Sequence, residues 1–155
     1  MTDTTMTPAG SLVGSYAHVG IIVEDLDAAM AEMTATQGIR WLPVQERPND
    51  DTTLRLTFSA SEPYIELIEG SPGTSRDTSN GPHVDHLAYW TADFAADKQR
   101  LLDAGLTLDV EGSSPFGGWW AYLSSRVTGY RIELCDIAAF EGWHRQWGLP
   151  VPERS

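Results

Sequence analysis

The chain has 155 residues, with 10 Lys plus Arg against 22 Asp plus Glu, a formal charge of −12 when the four His are neutral. That length fits one compact domain or two small modules sharing a core, and 41% apolar with 21% charged residues is the balance of a soluble globular chain. No Lys or Arg precedes Arg40 and Lys98 is the lone lysine, so there is no basic stripe to neutralise phosphates, which argues against nucleic acid and anionic membrane surfaces as partners.

Residues 1–14 read as an N-terminal tail: Met1 to Ser11 is polar, rich in Thr and free of positive charge, unlike a signal peptide. A first module spans 15–70. Tyr16 to Val23 alternates apolar and small side chains and predicts a strand; Asp25 is a good N-cap for a helix over Leu26 to Gln37 that Gly38 ends. Ile39 to Gln45, Thr53 to Ser59 and Pro63 to Glu69 follow as strands. Residues 71–83, with the run SPGTSRDTSNGP from Ser71 to Pro82, form a linker. The second module, 84–136, repeats the order: strand His86 to Trp90, cap Asp93, helix Phe94 to Ala104 ended by Gly105, then strands Leu106 to Val110, Trp119 to Ser124 and Tyr130 to Asp136. A tail over 137–155 holds a short helix around Phe140 to Trp147 that Pro150 and Pro152 stop. No apolar run approaches the roughly 18 residues of a membrane span. The single cysteine, Cys135, rules out an intrachain disulfide and points to a reducing, cytoplasmic setting.

Both modules therefore read βαβββ, and the repeat extends to the ionisable residues. His18 to His86 is an offset of 68, and Glu66 to Glu133 one of 67. Side chains alternate along a strand, so parity assigns faces. His18, Glu66, His86 and Glu133 each lie opposite an apolar stripe and would line one concave face while the stripes pack on the helices. Two imidazoles and two carboxylates suit a divalent first-row ion with positions left for water or substrate. The competing reading makes each a separate structural residue; the repeated His-to-Glu spacing argues against it.

AHVGIIVEDLDAA (Ala17 to Ala29), YIELIE (Tyr64 to Glu69), DHLAYWTAD (Asp85 to Asp93) and YRIELCD (Tyr130 to Asp136) resemble the vicinal oxygen chelate superfamily, the glyoxalase and bleomycin-resistance fold. The resemblance implies an α+β fold in which the paired βαβββ modules form an open eight-stranded, mostly antiparallel half-barrel around a metal, with a homodimer as the usual assembly. It makes His18, Glu66, His86 and Glu133 the ligands of one divalent ion, Ni, Co, Zn, Mn, Mg or Fe. The two-His, two-Glu set is similar to glyoxalase I, but Ile22 and Gly70 stand where that group keeps an Arg and a polar residue. HVGIIV and IELCD are closer to methylmalonyl-CoA epimerases, although those carry Gln in place of Glu66, and their separate catalytic Glu falls near Glu46.

The implied activity is that of an isomerase, epimerase or lyase. A carbonyl substrate chelates the ion, and Glu133, with Glu66 as its counterpart, moves a proton through an enediolate. Tyr64, Trp90, Phe116, Trp120 and Arg131 are candidates for the substrate pocket, which suits a bulky apolar molecule; for Arg131, pairing with an acid is the alternative. His83 reads as a surface residue, His144 as structural and Cys135 as a core filler. Two other classes compete: a protein that sequesters an aromatic or antibiotic-like ligand without turnover, and an Fe(II) ring-cleaving dioxygenase, whose open coordination positions a fourth protein ligand would crowd.

Overall fold

The structure is a computed structural model that describes residues 10–49 and 52–153. Of the expected tails, residues 1–9, 154 and 155 lie outside it. A 3₁₀ turn at Val13–Ser15 leads into β1 (Tyr16–Val23) and α1 (Leu26–Gln37), then β2 (Gln45–Asn49), β3 (Thr52–Phe58) and β4 (Ile65–Glu69). The second half holds β5 (His83–Thr91), α2 (Phe94–Asp103), β6 (Thr107–Ser113), β7 (Trp119–Ser124) and β8 (Arg131–Asp136). A second 3₁₀ turn, Ile137–Ala139, runs into α3 (Phe140–Gln146).

One eight-stranded sheet carries the fold in the order β2-β3-β4-β1-β5-β8-β7-β6. The two halves are mirror copies of one another in strand order, joined where β1 runs antiparallel to β5. The β1–β4 and β5–β8 pairs are parallel and all others antiparallel, so the mostly antiparallel α+β half-barrel is as the sequence implies. β1 and β5 sit at the centre of the sheet, where Ala17, His18, Ile22, Val23, His86 and Ala88 are buried.

The two main helices start where an aspartate accepts a hydrogen bond from the third residue on: Asp25 Oδ1 from Ala28 N at 2.9 Å, and Asp93 Oδ1 from Ala96 N at 3.1 Å. Gly38, at φ 72°, ends α1 in the left-handed conformation that side-chain-bearing residues resist. Both helices pack on the convex face. Leu26, Met30 and Met33 meet Val23 and Leu67, while Leu101 meets Ala121, Leu123 and Leu134. On the concave face of the first half a third cluster forms from Ile22, Leu56, Phe58 and Ile68, covered by Trp147 and Leu149 of the C-terminal segment.

Three elements differ from the sequence expectation, one of them β5, which begins at His83 inside the expected linker. The strand expected over Ile39 to Gln45 is instead β2 at Gln45–Asn49; Trp41 makes only an isolated bridge to Ser59. Pro43 interrupts the apolar run, whereas Pro48 is tolerated in the polar run that follows because β2 is an edge strand. β6 continues through Gly112 to Ser113, where the Trp120 ring lies against the glycine and a side chain would collide with it. Among the described residues, no helix is long and apolar enough to cross a membrane.

Candidate metal centre and its cavity

His18 of β1, Glu66 of β4, His86 of β5 and Glu133 of β8 come from four neighbouring strands at the middle of the sheet and converge on its concave face. His18 Nε2 and His86 Nε2 stand 3.2 Å apart. Glu66 Oε2 lies 3.4 Å from the first and 3.2 Å from the second; Glu133 Oε2 lies 3.2 and 3.3 Å away. The ligand atoms of His18, His86 and Glu133 all fall within 4.8 Å of one another. Close approach of the two halves is possible because β1 carries Gly20 opposite His86, and any side chain there would run into the imidazole.

The donor set fits a divalent cation on three counts. Separations of 3.2–3.3 Å among His18, His86 and Glu133 are those of ligands about 2.0–2.2 Å from a shared first-row ion. Both imidazoles present Nε2, and at His86 the other ring nitrogen is engaged by Asp85. Glu133 Oε2, finally, is buried without a hydrogen-bond partner, a costly state for a carboxylate oxygen unless a cation faces it.

Protons take the cation's part in the metal-free protein. Burial disfavours charge on His86, but hydrogen bonds to Asp85 and Glu66 outweigh it and push the pKa up to about 10. At His18 burial is likewise outweighed, by Glu133 and Glu66, and the pKa is raised. Burial would raise the Glu66 carboxyl; its hydrogen bonds to both imidazoles hold it far below the usual range.

The side chains behind the donors differ between the halves. The β1–β5 pairing skips Ala17 on one strand and Asp85 on the other, so each histidine is preceded by the extra residue of a bulge. In β5 that residue is useful: Asp85 Oδ2 lies 2.8 Å from His86 Nδ1 and accepts from Arg131 Nη2 at 2.6 Å. Arg131 in turn lies over the Tyr122 ring at 4.4 Å, and Tyr122 meets the His86 ring edge-on at 5.1 Å. In β1, Ala17 offers no carboxylate, and His18 is held by rings instead: Phe58 edge-on at 5.1 Å and Trp143 parallel at 6.4 Å.

Above the donors opens a cavity of about 390 Å³. His18, Glu66 and Glu133 lie at its base, and Trp90, Phe116 and Trp120 line it as the sequence suggests. Tyr64 does not; with Tyr16 and His144 it lines a neighbouring pocket across Trp90 and Trp143. Arg131 stands behind the site, paired with Asp85. Glu46 is on the outer side of β2, 3.3 Å from Arg55 Nε, away from the cavity. Cys135 lines the cavity beside Glu133, and burial pushes its thiol well above the usual range, which leaves it a weak nucleophile. His83 is exposed; His144 is buried and bonded through Nδ1 to Phe140 O at 2.8 Å. Sequence reading missed Asp85, which parity turns away from the site, and Tyr122, Trp143 and Arg47, whose places depend on pairing and docking.

Fold and site together define a paired-module protein whose concave face gathers two histidines and two glutamates, of which His18, His86 and Glu133 form a group that could hold an ion. Residues 17–123 match the Glyoxalase/Bleomycin resistance protein/Dioxygenase superfamily, and the chain belongs to it. It is 30% identical over 113 residues, 68% of its length and 82% of the relative's, to an ethylmalonyl-CoA/methylmalonyl-CoA epimerase of Cereibacter sphaeroides. The methylmalonyl-CoA epimerase of Mycobacterium tuberculosis shares the fold with a TM-score of 0.62 and 26% identity, over 81% of this chain and 89% of that one. A methylmalonyl-CoA epimerase in complex with methylmalonyl-CoA and NH₄⁺ aligns at TM-score 0.57 and 25% identity, over 81% and 95% of the two chains.

Proposed function

We propose that the chain is a metal-dependent isomerase of the epimerase type, which moves a proton on the carbon next to a substrate carbonyl. The relatives support the reaction class. The observation that carries the metal-dependent reading is the buried Glu133 Oε2, which has no aligned hydrogen-bond donor and faces two imidazole nitrogens at 3.2 and 3.3 Å. His18, Glu66, His86 and Glu133 would hold one divalent ion, which when bound supplies a Lewis acid for the negative charge that develops on the substrate oxygen.

The chain's own groups do the rest. Glu133 accepts the proton from one face of the substrate carbon, and Glu66, its counterpart across the site, delivers to the other face a proton taken from solvent, after which exchange with solvent restores both carboxyl groups. Asp85 and Arg131 fix the tautomer and ring plane of His86. Burial raises the Tyr122 phenol well above its ordinary range, with Glu133 and Glu66 adding to the effect, so it stays protonated beside the site. All four donors come from one chain, so the homodimer enters this proposal as an assembly and is not needed to complete the site.

The test is solvent exchange. Metal-loaded protein in deuterated water, offered α-hydroxycarbonyls, hemithioacetals and acyl-CoA thioesters, is expected to label one class at the carbon next to the carbonyl. Glu133→Gln is expected to abolish labelling while keeping the fold. No uptake across the panel despite bound metal would sink the proposal. The aromatic cavity also favours a second reading, capture of an aromatic ligand without turnover; tight binding by metal-free protein together with no exchange would select it.

A further inference from the structure

Which carbonyl compounds can reach the donors is decided by what lines the approach, and part of that lining lies past residue 123, where the family match ends. Trp143 of α3 lies parallel to the His18 imidazole at an interplanar angle of 7°, and Trp147 and Leu149 fill the concave side of the first half against Ile22 and Phe58. The C-terminal segment thus turns half of an open trough into wall. What remains, about 390 Å³, is near the lower end of the roughly 300–1,000 Å³ of small-molecule sites. Ring faces and edges from Trp90, Trp120 and Trp143 surround it, and Trp119 and Phe116 stand at its margin 53% and 38% exposed. Such walls hold a flat ring by offset or edge contacts.

Charge narrows the class further. The acids among the described lining residues are Glu66, Glu133 and Asp136, and Asp136 Oδ1 is engaged by Ala138 N at 2.9 Å. Against them stands one permanent cation, Arg47, on the inner side of β2. Arg55, Arg100, Arg131 and Arg145 each pair with a carboxylate, whereas Arg47 has no carboxylate partner among the described residues. Its guanidinium is steadied by Gln45 Oε1, which accepts from Nε at 3.2 Å, and by the Trp147 ring at 5.8 Å, with N–H groups to spare. A coenzyme A thioester brings several phosphate charges, which one arginine in a chain of net charge −12 does not balance. A single carboxylate is matched by it.

We infer that the cavity takes a compact aromatic carbonyl compound bearing one carboxylate, anchored by Arg47, and not a coenzyme A thioester; the inference deepens the isomerase reading and rests on it for the carbonyl. The experiment reads binding apart from turnover, through quenching of the cavity tryptophans in metal-loaded protein. The probes are 3-benzoylpropionate, its neutral N-methyl amide, and methylmalonyl-CoA. The acid is expected to bind more tightly than the amide. Arg47→Gln weakens the acid by about tenfold or more, the size of a lost charge-assisted hydrogen bond, and leaves the amide unchanged, which also shows that the variant is folded. Methylmalonyl-CoA gives no saturable quenching where the acid saturates. Equal binding of acid and amide, or tighter binding of methylmalonyl-CoA, overturns the inference. Absence of deuterium exchange from every compound overturns the isomerase reading instead and leaves the binding order as measured.

Discussion

Asp85 shows how much of the His86 geometry depends on one residue outside the cluster of His18, Glu66, His86 and Glu133. It joins His86 Nδ1 at 2.8 Å and is held from behind by Arg131 at 2.6 Å, with burial opposing its charge and these two bonds lowering its pKa nonetheless. A histidine so engaged presents Nε2 as the ligand nitrogen and keeps its ring plane. Its counterpart in the first half, Ala17, does nothing of the kind, so the two imidazoles are not equivalent: His86 is oriented by charge and His18 by ring packing. Asp85→Asn is therefore expected to lower affinity for a divalent ion by about 10–100-fold without unfolding the sheet. Calorimetric titration with Zn²⁺ or Ni²⁺ alongside circular dichroism checks it; unchanged affinity would mean that packing alone fixes the His86 ring.

Among the elements, the repeat was the legible part. The two capping aspartates, the glycine that ends α1 and the His-to-Glu spacing are local or periodic signals, and they locate β1, β4, β5, β8 and the four donors without knowledge of any contact. What could not be read depends on partners distant in the chain. β2 is polar and holds Pro48, and it is a strand because β3 pairs with it. Asp85 faces the site because the pairing slips by one residue at a bulge, which strand parity does not register. The apolar C-terminal segment looks ready to dock, but only the structure shows that it docks into the concave face, placing Trp147 at 6% and Leu149 at 7% exposure against Ile22, Leu56 and Phe58. That contact makes the tail part of the core. Trp147→Ala is expected to cost about 3–5 kcal/mol of stability, as deletion of a large buried ring does. Urea unfolding measures it, and a loss under about 1 kcal/mol would show that the segment only rests on the sheet.

At the scale of the molecule, the donors sit across the β1–β5 seam, two from each half, so whatever cation occupies them ties the halves together. In metal-free protein that tie is made by protons. His86 has a folded pKa of about 10 against an ordinary 6.5, so its contribution to stability is complete below pH 6.5 and is lost as pH rises toward 10. Glu66 runs the other way: its lowered pKa contributes above its ordinary 4.5 and is lost as pH falls below that. Metal-free protein is thus expected to be most stable between pH 4.5 and 6.5 and to melt at falling temperature from pH 6.5 upward. A divalent ion replaces those protons, so its affinity rises with pH, and at about 1,000 times its Kd it adds about 4 kcal/mol. The gap in Tm between loaded and metal-free protein should therefore widen from pH 6 to pH 9, with proton release on metal binding detectable in buffers of different ionisation enthalpy. A gap that stays constant over that range, with no proton release, would mean that the two histidines are already neutral in the metal-free fold and that the Nε2 cluster is held by packing alone.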